Sequence, residues 1–106
     1  MTASTANGVS NAGFALREAL LASADRLALV AIPTATFARA EGVSGLAYLR
    51  YRAGLLLAVS TGADELRAAG WTLDVQSLTG QEAAAVHEGA ERVFVITATN
   101  HPQQEN

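Results

Sequence analysis

A chain of 106 residues and 11.0 kDa, 50% apolar and 16% charged, has the length of one domain and enough apolar material for a core. Its formal charge of −3, from 10 acidic and 7 basic residues, argues against a nucleic-acid binder held by a basic surface and against a polybasic membrane anchor. It has no cysteine and no lysine, which excludes disulfides, thiol catalysis, cysteine-ligated metal centres, a Walker lysine and a Schiff-base lysine.

Residues 1–11 are small and polar, without the charged and apolar segments of a signal peptide. The longest apolar runs, 27–33 and 55–59, fall far short of the roughly 18–20 residues that cross a bilayer. The expectation is a cytoplasmic protein with a flexible leader over 1–11, a single domain over 12–100 and a flexible tail over 101–106. Asn11 is placed to cap a helix over 12–24, in which Leu16, Ala19, Leu20 and Ser23 share one face. The continuous apolar run 27–32, ended by Pro33, predicts a strand buried on both faces.

Residues 34–52 admit two readings. One is a helix broken at Gly42 and Gly45. The other, which we prefer, is a pair of strands over 35–40 and 46–52, because Ala47, Leu49 and Tyr51 alternate with Tyr48, Arg50 and Arg52. Ala53-Gly54 then turns the chain into a further strand, 55–60, completing a hairpin. Thr61 is read as the cap of a short helix over 63–69 that stops at Gly70. Trp71, Leu73 and Val75 alternate with Thr72, Asp74 and Gln76, the mark of a half-exposed strand over 71–77. Thr79-Gly80-Gln81-Glu82 has the form of a capping box, opening a helix that runs to about Glu88 and stops at Gly89. The run 92–97 closes the sheet. The predicted fold is therefore α+β, a single mixed β-sheet with about three helices in the order α-β-β-β-α-β-α-β. The recurrence of Thr-Gly 18 residues apart, at 61 and 79, reflects what any strand–helix–strand unit needs.

Few residues carry chemistry. Gly42-Val43-Ser44-Gly45 places its second glycine one residue too early for a nucleophile elbow and reads as a turn. The only histidines, His87 and His101, are too few for a metal site. Asp64, Glu65, Glu82, Glu88 and Glu91 fall in helix caps or exposed turns, where acids complement a helix dipole. No catalytic residue, metal or cofactor is expected. Two binding surfaces are candidates. Arg39, Arg50 and Arg52, with Tyr48 among them, form the one cluster of positive charge, on the outer face of the hairpin, and Tyr and Arg favour interfaces. Thr61-Gly62 and Thr79-Gly80 offer helix N-terminal amides to an anion.

With this layout, residues 55–100 resemble the N-terminal domain of the SseB (enhanced serine sensitivity) family. Leu55-Leu56-Leu57-Ala58-Val59-Ser60-Thr61 stands where that family runs a buried strand into a Thr/Ser-rich helix start. Leu78-Thr79-Gly80-Gln81-Glu82 stands at its turn, and residues 93–100 at its final strand. The chain departs from the pattern at Val59, where the family often has phenylalanine, and at Asn100-His101-Pro102, where it usually ends Asn-Pro-Gly. The resemblance implies a small α/β module without catalytic residues, found beside other domains or secretion-related proteins, and carries over no site.

Three apolar strands, 27–32, 55–59 and 93–97, exceed the cover that three short helices supply, so either an apolar face is left for a partner, the reading we prefer, or the strands are less buried than they look. The expected function is a non-enzymatic protein-interaction module of accessory or immunity type, self-associating as a homodimer or binding another protein, with neither nucleic acid nor membrane as partner. The alternative is a regulatory domain binding a small molecule or anion at a helix N-terminus.

Overall fold

The computed structural model describes residues 11–100. Its elements in chain order are α1 (Asn11–Ala22), β1 (Leu27–Pro33), α2 (Ala35–Ala40), α3 (Gly45–Ala68), β2 (Thr72–Thr79), α4 (Gly80–Val86) and β3 (Ala90–Asn100). The fold is α+β, as the sequence predicts. The sheet has three strands in the order β1-β3-β2, and both pairings are antiparallel, so it is not mixed.

The main correction lies between 34 and 69. Residues 35–40, 46–52 and 55–60 form no strands, Ala53-Gly54 makes no hairpin turn, and 63–69 is not a separate helix. The chain takes the other reading, helices interrupted between Gly42 and Gly45. Thr34 caps α2, its Oγ1 accepting from Phe37 N–H at 2.9 Å, and Ser44 caps α3, its Oγ accepting from Ala47 N–H at 3.2 Å. From Ser44 onward the chain is rich in Ala, Leu and Arg, strong helix formers, so the two internal glycines, Gly54 and Gly62, and a six-residue alternation do not redirect it. The longer period wins: Tyr48, Val59, Gly62, Ala63 and Leu66 form one buried stripe along 24 residues.

Two helices end in the same way. Gly42 (φ +86°) follows α2, and Gly70 (φ +105°) follows α3. In each, the glycine N–H and the next residue's N–H turn back to carbonyls of the last turn: Gly42 to Arg39 and Val43 to Ala38, Gly70 to Arg67 and Trp71 to Leu66. This is the Schellman closure, in which a left-handed residue satisfies carbonyls the helix leaves open. It folds Trp71 onto Leu66, both buried. The stop at Gly70 lies where the sequence puts it. Helix α4 ends at Val86, before Gly89, and Thr79 makes no side-chain cap bond, so the capping box does not form.

The larger core joins α1 and α3 to one face of the sheet. Leu16 and Leu20 meet Val59, Ala63, Leu66 and Trp71 over Ala28, Leu73, Ile96 and Ala98. Each fully buried aliphatic here, such as Leu20, Leu66 or Ile96, contributes about 1.5–3 kcal/mol by leaving water. On the other face α4 covers only one end, with Ala83 on Val93 and Ala90, flanked by Ala31, Leu78 and Val95. Strand β3 is central and shielded on both sides. The run 27–32 is not: β1 is an edge strand, and Leu27 and Leu29 point from the end of that same face that α4 does not reach.

Helices α1 and α3 cross at Gly62, where an added Cβ would lie 3.1 Å from the Ala12 carbonyl oxygen and 3.4 Å from Leu16 Cδ2. At Gly54, also within α3, it would meet nothing within 4 Å. The two glycines therefore respond oppositely. Gly62→Val overpacks the crossing and lowers unfolding free energy in urea by about 1–3 kcal/mol. Gly54→Ala raises it by about 0.5–1 kcal/mol through helix propensity alone.

Candidate functional site

The α2–α3 corner places three aromatic side chains near the start of β3. Phe37 and Tyr51, with Pro33, wall two adjoining recesses of about 360 and 210 Å³. Tyr48 and Val43 line the larger, His87 and Gly89 the smaller. Gly89 is at φ +85°, and a Cβ there would come within 2.6 Å of the Phe37 ring. It is held by its carbonyl, which accepts from Thr34 N–H at 2.8 Å.

Beside these recesses, α3 is tied to β3. Tyr48 and Arg52, one turn apart, both reach Glu91. The Tyr48 hydroxyl donates to Oε1 at 2.7 Å and Arg52 Nε donates to Oε2 at 2.8 Å. The Tyr48 hydrogen bond holds the Glu91 carboxyl below its ordinary range; partial burial opposes this, and the Arg52 guanidinium reinforces it. The same bond, to an acceptor already charged, raises the Tyr48 hydroxyl, and Glu91 likewise raises Arg52. A carboxylate with both oxygens engaged and its proton held off is a poor general base, so the triad acts as a strut.

The structure divides the four candidate interface residues. Tyr48 is buried at 8% exposure and Arg52 half-buried, both turned toward Glu91. Arg50, midway between them in sequence but turned to the opposite side of α3, is exposed, as is Arg39 at the end of α2. They do not form one outer face, because a helix turns successive residues by about 100° where a strand would align alternate ones. The anion candidates fare similarly. Thr61 and Gly62 lie inside α3 and frame no helix start. Thr79 and Gly80 do open α4, but that helix has only seven residues. His87 is exposed, with Nδ1 3.1 Å from the Glu88 carbonyl, and His101 lies outside the described residues. Val86, next to His87, is exposed and does not join Ala83 inside. Among the described residues no three His, Asp or Glu gather as a metal would need, and no helix is long and apolar enough to cross a membrane.

What remains open is apolar. Leu46, Leu49 and Leu57 form a ridge on the outer side of α3, exposed by 60, 59 and 67%. A groove of about 410 Å³ runs between α1, α3 and β1, walled by Ala15, Leu16, Leu55 and Ala58 and by residues 27–30. Leu29 is 51% exposed beside it. The ridge has helical spacing and was legible once 45–60 is taken as helix. Glu91 was not, since its partners lie 43 and 39 residues away. Comparison with protein-family models, with curated proteins and with solved structures returns no match.

The strut makes stability pH-dependent. A carboxyl with a depressed folded value stabilises the protein fully above its unfolded value, and that contribution is lost as pH falls through the folded one. The stability gap between wild type and Glu91→Gln is therefore expected to be constant near neutrality. It should shrink as pH falls below about 4.5, the ordinary value, and close once Glu91 is protonated in the folded state. Tyr48→Phe, which removes the larger cause of the shift, is expected to cost on the order of 1 kcal/mol. Urea titrations at stepped pH measure both.

Proposed function

We propose that this chain is a non-enzymatic protein-interaction module that works by self-association, in an accessory or immunity-type role. The observation carrying the reading is its exposed apolar surface. Four large aliphatic side chains, Leu29, Leu46, Leu49 and Leu57, each stand more than half exposed on two regular elements. Apolar area concentrated on rigid elements is the usual sign of a protein contact surface. The Arg50 guanidinium beside the α3 ridge supplies a polar rim. A cytoplasmic setting belongs to the same proposal, as does kinship with the SseB N-terminal module, itself implied to be catalytically silent, which rests on residues 78–82 and 93–100 because 55–61 lie inside α3. No observation favours the anion-binding alternative, because its Thr61-Gly62 site has no helix start and its Thr79-Gly80 site opens a two-turn helix.

Sedimentation equilibrium across low-micromolar to submillimolar concentration tests the reading. The expected result is a mass that rises above 11.0 kDa with concentration. A mass fixed at 11.0 kDa throughout overturns self-association.

A further inference from the structure

The two edges of the sheet differ. The hydrogen bond from Ala98 N–H to the Arg26 carbonyl, at 2.9 Å, fixes which backbone groups face which way. Residues 28, 30 and 32 of β1 turn their N–H and C=O toward β3, while Leu27, Leu29 and Ala31 turn theirs outward. By the same alternation the outward residues of β2 are Leu73, Val75, Ser77 and Thr79, and at Leu73 the edge is already engaged. The Leu73 carbonyl accepts from Arg67 Nη2 at 3.2 Å, and Asp74 and Gln76 stand exposed along the strand. Among the described residues the β1 edge has no such guard. There its outward groups border the apolar groove, its one local bond is a 3.3 Å contact from Leu27 N–H to Ser23 Oγ, and the strand carries no charge. An uncharged, apolar, unpaired edge is a template for strand addition.

We infer that this edge receives the β1 strand of a second copy, the two pairing antiparallel about a twofold axis at Leu29 and merging two three-stranded sheets into one. The inference rests on the self-association proposed above and adds its surface and register. Three features select a copy of the chain as occupant. First, the outward groups at 27, 29 and 31 are symmetric about Leu29, as an isologous contact requires. Leu29 meets Leu29, and Leu27 meets Ala31, in both directions. Second, both ends are closed to further pairing. Pro33 holds the next outward position and has no N–H, and Arg26, at φ +55°, turns the chain away before β1. Third, the charges are compatible: in this register Asp25 falls opposite Pro33 and Arg26 opposite Ile32, so no like charges oppose. The pairing also covers Leu27 and Leu29 on the face that α4 leaves open.

Because Leu29 meets itself, the register can be tested by charge. Leu29 is half exposed, so Leu29→Lys and Leu29→Glu should fold as wild type by circular dichroism. Each alone opposes like charges at the axis and is expected to weaken dimerisation about tenfold or more, whereas an equimolar mixture restores the dimer as a Lys–Glu heterodimer. In this cysteine-free chain, Leu29→Cys should form a covalent dimer under mild oxidant, since paired residues there lie within disulfide range. Leu49→Glu with Leu57→Glu should leave the mass unchanged. If the Leu29 variants keep the wild-type mass while the α3 variants lose it, self-association stands and the β1 pairing is overturned. Two monomeric Leu29 variants whose mixture stays monomeric overturn the twofold. Wild type that never exceeds 11.0 kDa overturns both this inference and the reading beneath it.

Discussion

The rest of the fold depends on one buried stripe along α3. At its C-terminal half, Val59, Ala63 and Leu66 meet α1 over the sheet, and the absent side chain at Gly62 lets the two helices approach. At its N-terminal half, the stripe turns from packing to polar ties, Tyr48 and Arg52 on Glu91. One helix of about 36 Å thus reaches from the core to the aromatic corner around Phe37. The same corner is tied to the start of β3 by Thr34 N–H on the Gly89 carbonyl and by Phe37 against Gly89.

The stripe also explains what surface is left. A helix that buries one face on a narrow sheet must show the opposite face to water. On α3 that face carries Leu46, Leu49 and Leu57 where a solitary surface helix would carry charge. The sheet has a similar imbalance: α1 and α3 cover one side, while seven-residue α4 covers only the end around Val93. The shortage of cover expected from the sequence is present, but it arises from a short helix and an edge strand, not from too many buried strands.

Much of the architecture was legible where local signals agree. The α1 face of Leu16 and Leu20, the strand ending at Pro33, the alternation after Trp71 and the stop at Gly70 each follow from one period or one turn residue. Residues 34–60 misled because a short two-residue alternation around Tyr48 competes with a longer 3.6-residue stripe, and only the longer window shows which one is buried. The sequence groups Tyr48 and Arg52 with Arg39 and Arg50 on one outer face; their partner, Glu91, belongs to another element and could not be seen from spacing. The exposed apolar ridge follows directly once the segment is helical, so that error and the misplaced arginine cluster share one cause.

The two borders of the sheet are not equivalent. With Arg67 seated on the Leu73 carbonyl and Asp74 and Gln76 exposed along β2, a strand arriving there would have to displace an arginine and pass two polar side chains, whereas along β1 it meets neither. An arginine in the last turn of α3 thus makes the two rims of the sheet unequal, a bias set by a helix rather than by the strands themselves.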